Sequence, residues 1–334
     1  MHDIKNIPLV SSEISGLWNG YMSDSLSIRV LSYFLNNVKD EEVRVLLQQT
    51  LDLSLQHIPM ITDLFNQEGL PMPVGFTDKD VNINAPRLFT DTFYSAYITF
   101  MARIGMHNYT MILNHISRED IRGYFSKRIV ECIELYNKST SLRLSKGIYV
   151  KAPHVEVPKN IEYVNSPSFL MDYFGEKRAL LMREITHMFG LIFTNTMGKA
   201  VSIGFGQVSK DKNISDYFFK GANLSTKILS DLTTIFMDEN IPIPSTSESF
   251  VTDSTISPFS EKLMMIHSII MGSQGISMKG MAMADSGRSD LLVMYTKLMS
   301  EIMKYTEEGT KIAIKNKWLE QPPQAIKHKN LVGV

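Results

Sequence analysis

The residues most suggestive of chemistry are Glu184-Ile185-Thr186-His187. A carboxylate three residues ahead of an imidazole puts both ligands on one helix face. Two such pairs and two more inward carboxylates make the di-metal centre of a helical bundle. This chain has a single Glu-x-x-His, so that full set is missing. A looser metal site could combine Glu184, His187 and His267, and is carried as a minor alternative beside a capping or surface role for the pair. His57, His107 and His115 are scattered and show no ligand spacing. Cys132 falls at an apolar position in mid-helix, where a thiol behaves as a small inert hydrophobe. No Gly-x-Ser-x-Gly elbow or Walker-type loop occurs, and Gly204-Phe205-Gly206 follows no predicted strand. No catalytic residue is assigned, and no cofactor is expected beyond that metal alternative.

A second unusual group is Met264, Met271, Gly272, Gly275 and Met278. Methionine adapts to irregular gaps, and small residues let another helix approach closely. Each glycine costs a helix about 1 kcal/mol against alanine, so tight packing should compensate. The group reads as core packing, with a contact face between copies or an apolar ligand pocket as the sharper alternatives.

The elements that would hold these residues come in two copies. Gly69-Leu70-Pro71-Met72-Pro73 recurs as Asn240-Ile241-Pro242-Ile243-Pro244, 171 residues on. At that offset Glu13 falls on Glu184, Phe65 on Phe236 and Glu68 on Glu239. Beyond the Pro-containing loop the offset is 170: Phe89 falls on Phe259, Gly105 on Gly275, Asp120 on Asp290 and Glu131 on Glu301. A one-residue slip inside a loop is what a duplication leaves, because loops tolerate length changes and helices do not.

Each copy predicts four helices: 12–36, 41–68, 87–115 and 118–146, then 178–207, 212–239, 259–284 and 288–316. Val43, Leu46, Leu47, Leu51, Ile58, Ile61 and Phe65 form one apolar stripe, and Ile121, Phe125, Ile129, Cys132, Ile133 and Tyr136 another. Asp40 is a candidate N-cap, as are Ser117 with Asp120, and Ser257-Pro258 should open the seventh helix. Pro59 should kink the second. A plain up-down bundle has short turns throughout, whereas about 18 residues join helices two and three. That crossover is the ferritin-like connection. The expected fold is all-α, a tandem of two four-helix bundles: residues 1–147, a Pro-containing strap at 148–177, and residues 178–334. Val150, Val155, Val157 and Val164 should pack the strap, which also holds Pro167, over a bundle.

Bulk properties narrow the classes. Net charge is −1 over 334 residues, which gives no electrostatic case for nucleic acid. One cysteine cannot form an internal disulfide, no secretory signal is legible, and no clean 18-residue apolar run predicts a membrane span. A cytoplasmic protein is expected, with a homo-oligomer as an open alternative.

The duplicated unit with its Gly/Asn-x-Pro-x-Pro crossover resembles domain-of-unknown-function family 3231, found in spore-forming Gram-positive bacteria. The resemblance rests on Leu70 to Thr77 and on Ile241 to Pro244, and extends more loosely over nearly the whole chain. It implies ferritin-like bundles with no agreed activity, and a spore-associated setting. The combined expectation is a non-enzymatic structural or interaction protein linked to sporulation or stress. The alternatives are an apolar-ligand pocket in the second unit and a degenerate metal protein.

Overall fold

The computed structural model describes residues 7–166, 169, 177–245 and 249–326. The described residues include eight α-helices: α1 (Ser11–Asn37), α2 (Glu41–Gln67), α3 (Asp91–Leu113), α4 (Glu119–Ser145), α5 (Met182–Val208), α6 (Lys212–Asp238), α7 (Glu261–Asp285) and α8 (Ser289–Lys315), with a short 3-10 turn at Asp78–Asp80. Consecutive helices pair into antiparallel hairpins, α1 with α2, α3 with α4, α5 with α6 and α7 with α8. Each unit is two hairpins joined by a long crossover. Most helices have 27 residues, roughly 40 Å of rise.

Local signals account for the start of α2 and for several ends. Asp40 caps α2 by accepting from the N–H groups of Glu42 and Val43. Gly69 and Asn240 take positive φ just past α2 and α6, and Gly147 and Lys317 do so past α4 and α8. These are the left-handed positions that close a helix, glycine in the first unit and a side-chain-bearing residue in the second. α2 is unbroken through Pro59.

Other caps differ from expectation. Ser117 does not cap α4. Its N–H and hydroxyl donate instead to Glu13, which also accepts from Arg118 N–H, so the first turn of α4 is capped from α1. α7 begins at Glu261 with Ser260 as its cap, because the carbonyl of Pro258 accepts from Asn82 of the other unit.

That last bond belongs to a reciprocal brace. Val81 pairs with Phe259 and Phe89 with Val251 as antiparallel bridges. Asn82 N–H donates to Pro258 and Thr252 N–H to Leu88; Ser260 N–H donates to Asp80 and Thr90 N–H to Phe250. Each bond has its twin 170 residues away with the roles exchanged, the signature of a two-fold relation. α3 and α7 face each other along the same pseudo-axis: Tyr97 bonds to His267 at 2.7 Å and His107 to Ser277 at 3.2 Å. The residues before α3 and α7 are spent on this brace, so both helices start later than their apolar pattern suggests.

The core follows the brace. One cluster at each outer end belongs to a single unit, around Leu17, Phe65 and Phe125 in the first and Leu191, Phe236 and Tyr295 in the second. The largest cluster crosses between units. Tyr33 meets Phe259 edge-on at 5.2 Å, and Phe93 meets Phe250 at 5.8 Å. An oily interior closed within each copy therefore describes only the two ends. Gly204 has a packing role in the shared middle: a Cβ there would strike the Phe89 ring.

The strap is also different. Val150 and Val155 are half-buried, but Val157 and Val164 stand exposed, so only its first few residues lie on protein. Pro167 and the strap residues from 170 to 176 lie outside the described residues.

Candidate functional site

The structure does not assemble Glu184, His187 and His267. Glu184 is fully buried at the start of α5 and its carboxylate is already committed. It accepts two 2.8 Å bonds from Arg178, one from Leu181 N–H and one from Gly287 N–H. Burial pushes its acidity the other way, but these donors outweigh it and hold the carboxyl below the usual range. His187 pairs with Asp285 at 2.7 Å on the surface. His267 lies against Phe205, which is 18 residues beyond His187 and thus roughly 27 Å further along α5. Among the described residues no cluster of three or more His, Cys, Asp or Glu is arranged to hold a metal. Glu184 and its twin Glu13 serve instead as inter-helix capping carboxylates.

The Met/Gly group of α7 meets the chain's own side chains. Met264 is fully buried in the shared core. The Met271 methyl sits beside Gly198, and Met278 lies beside Gly190 with its sulfur accepting from Thr194 at 3.4 Å. A Cβ on Gly272 would strike Thr306, and one on Gly275 would touch Ile302 at 3.7 Å. The five residues fit α7 against α5 and α8.

The most concentrated polar centre lies inside the first unit and was not anticipated from the residue pattern. Asp24 of α1, His57 of α2, Tyr109 of α3, and Arg128 and Glu131 of α4 converge in its interior. Arg128 donates to both oxygens of Asp24 at 3.1 Å and to the Tyr109 hydroxyl at 3.0 Å. His57 bridges the two acids, 3.4 Å from Asp24 and 3.0 Å from Glu131. Burial raises the Asp24 carboxyl to about 6, against the pull of Arg128. Burial also lifts the neighbouring Cys132 thiol to about 11, which leaves it protonated and unreactive. Two carboxylates from different helices with an imidazole between them resemble half a metal site. The guanidinium of Arg128 supplies the positive charge in that position and needs no ion.

A comparison of the two copies marks these residues. At the repeat offsets, Asp24, His57, Tyr109, Arg128 and Glu131 correspond to Asn195, Ile228, Lys279, Leu298 and Glu301. Leu298 and Ile228 are buried core residues, so Arg128 and His57 had to be buried too. The α4 stripe actually runs through Ile121, Phe125 and Arg128, whereas Ile133 is exposed. In the second unit, Lys279 is fully buried with no hydrogen-bond partner for its amine among the described residues, and burial lowers it to about 8.

No described helix is long and apolar enough to cross a membrane. Among known proteins, human guanylate-binding protein 3 is 26% identical over 121 residues, 36% of this chain. The chain spans 20% of that protein's length. A solved structure from Bacillus halodurans C-125, described as a spore coat protein, is 20% identical and covers 46% of this chain and 100% of its own, with a TM-score of 0.42. The profile of a protein family of unknown function, DUF3231, matches residues 2–161 and again residues 168–331. Two consecutive matches over nearly the full length fit the internal duplication, and the chain belongs to the DUF3231 family.

Proposed function

We propose that the chain is a non-enzymatic structural or interaction protein, a rigid bracket of two units fused about a pseudo-two-fold axis. The observation that carries this reading is the reciprocal brace, in which each crossover loop bonds to the other unit. Such bracing makes the units one mechanical body with two related ends. The polar centre of the first unit fits the same reading, since its charges are balanced by partners within the chain.

The chain has two tryptophans, Trp18 in the first unit and Trp318 after α8. Trp18→Phe and Trp318→Phe variants each leave one reporter. Their fluorescence transitions in urea should coincide, and two separated transitions would break the bracket. Elemental analysis of purified protein tests the competing metal reading: iron, manganese or zinc at one equivalent would replace the structural role. The association with sporulation or stress rests on the family resemblance and the cytoplasmic setting on the single cysteine and the lack of a legible secretory signal, and following tagged protein through sporulation tests both. The α7 face remains a proposed contact between copies only if light scattering finds a dimer.

A further inference from the structure

The brace between the units is made by Asp80 to Thr90 of the first crossover loop, and the motif residues Leu70 to Thr77 lie outside it. Within that motif two consecutive backbone donors point at one carboxylate. Val74 N–H donates to Glu320 at 2.7 Å, and Gly75 N–H donates to the other oxygen at 2.9 Å. Lys262, in the first turn of α7, donates to the Gly75 carbonyl at 2.7 Å. Its ammonium stands 3.9 Å from the same carboxylate and 5.0 Å from the centre of the Phe76 ring. Consecutive N–H groups with a cation beside them make an anion-binding concavity. The loop shape is fixed: Gly75 takes φ +63, and a Cβ there would strike Ser25. Ser25 Oγ in turn accepts from Phe76 N–H.

The group that fills this concavity comes from the tail beyond α8. From Asn316 to Ile326 every residue is exposed except Trp318 and Glu320, which are half-buried. Trp318 packs against the shared core. Among the described residues, the hydrogen bonds from tail to loop are those of Glu320.

That hold is weak in three respects. The ion pair is partly solvated, with the Lys262 side chain 22% and the Glu320 side chain 20% exposed, and screening leaves such pairs little net stabilisation. The tail leaves α8 through Lys317 at φ +58, a left-handed conformation that is costly for a residue with a side chain. The twin turn uses Gly147, which has no such cost. Pro322 and Pro323 then keep the tail from continuing as helix. The twin of Glu320 is Val150, which cannot accept these bonds, so the latch exists on one side of the pseudo-axis.

We propose that the first crossover loop is a docking site for an extended acidic segment of a partner protein, and that Glu320 holds this site in the free chain as a displaceable latch. The partner supplies a glutamate or aspartate in place of Glu320. Its carboxylate takes the Val74 and Gly75 N–H groups, and Lys262 supplies the opposite charge. The tail competes at an effective concentration of about millimolar, so a segment with further contacts displaces it. This partner class extends the interaction reading above. Docking is read at the loop, whereas the bracket fails on separated unfolding transitions, so the two can fail apart.

The test is NMR of the Val74 and Gly75 backbone amides in the full chain. Glu320→Ala should shift both resonances by removing their acceptor. A synthetic peptide copying residues 319–323 should then return them saturably toward their wild-type positions, and the same peptide with glutamine for the glutamate should not. In the wild type the acidic peptide should bind several-fold more weakly, because the tail competes. Adding Lys262→Met to Glu320→Ala should weaken the peptide further. If Glu320→Ala fails to fold, Glu320→Gln, of nearly the same size, answers in its place. Amides unmoved by the loss of Glu320 overturn the latch. Amides that ignore the acidic peptide, or follow the glutamine peptide equally, overturn the docking site.

Discussion

At the same level of two equivalent bundles, the first unit buries Asp24, His57 and Arg128 in one network with the half-buried Glu131, and the second buries Asn195, Ile228, Leu298 and Lys279. The backbone accepts either filling. What both units share lies elsewhere. At each outer end an arginine, Arg118 or Arg288, clamps the glutamate that ends the previous hairpin, Glu68 or Glu239, and the aspartate of its own helix, Asp120 or Asp290. The crossover brace is shared too. The fold is held at its ends and seam, while the mid-level of each bundle is free to diverge.

The sharpest way to break this comparison is Arg128→Ala. It leaves the buried Asp24 and the half-buried Glu131 without their guanidinium, and removing one partner of a buried pair costs about 3–5 kcal/mol. Urea denaturation should register a loss of that size. A loss below about 1 kcal/mol would mean that the network does not hold the unit together.

The next effect is in the pH dependence, where the two units should have slopes of opposite sign. Asp24 titrates at about 6 when folded, above its ordinary 3.8. The native state therefore holds the extra proton between those values, and stability falls as pH rises from about 4 to 6. Arg128, Glu131, His57, Tyr109 and Tyr124 face it. Lys279 titrates at about 8, below its ordinary 10.5, so the unfolded state binds more protons in that window and stability rises from about pH 8 to 10.5. Each shift corresponds to roughly 3 kcal/mol. His267 complicates the acid side: burial lowers it from 6.5 to about 4, which makes stability rise over nearly the range in which Asp24 makes it fall. The wild type should be nearly flat there. Asp24→Asn should uncover the rising His267 slope, and Lys279→Met should flatten the alkaline limb. An Asp24→Asn profile identical to wild type would contradict the assignment.

A conversion sharpens the comparison further. Asp24→Asn, His57→Ile and Arg128→Leu together give the first unit the second unit's residues at those three positions; Tyr109 still differs from Lys279, and Glu131, which matches Glu301, keeps Lys127 at 3.7 Å. Replacing a whole buried ion network with apolar groups is often neutral or stabilising by 1–4 kcal/mol. We expect the triple variant to gain about 2 kcal/mol in urea denaturation although Arg128→Ala alone is strongly destabilised. A triple variant as unstable as the single one would show that the first unit needs its charges for the fold itself.

Legibility in sequence divides along the same lines. The helices and the duplication could be read because their signals are local or periodic: the Asp40 cap, the stripe from Val43 to Phe65, and the Gly69/Asn240 closures. The α4 cap could not, since its carboxylate comes from Glu13, more than 100 residues earlier in the chain. Leu88, Phe89 and Phe259 extend the apolar patterns of α3 and α7 but are pulled into the cross-unit pairing, which no local period encodes. The polar centre was hidden by the reading of the α4 stripe, and Arg128 becomes visible only when Leu298 is laid beside it. Glu184 and His187 had the right spacing for a ligand pair, but spacing says nothing about Arg178, which claims the carboxylate.

The smallest expected effect tests the seam where the two units meet their own twins. Tyr97 and His267 are equivalent positions hydrogen-bonded across the pseudo-axis, so the symmetry is broken by one residue exchange. The tyrosine hydroxyl and Nε2 share one hydrogen bond whose direction follows the tautomer, and Nδ1 has no partner among the described residues. Tyr97→Phe removes the hydrogen-bond partner of Nε2 on a buried ring and should cost about 1 kcal/mol. It should leave the acid slope in place, because the His267 shift comes from burial and not from the tyrosine. NMR of the imidazole through an acid titration reads this directly. A His267 that titrates near 6.5 in Tyr97→Phe would mean that water enters the seam, and that this single bond rather than the packed rings keeps the two units dry at their axis.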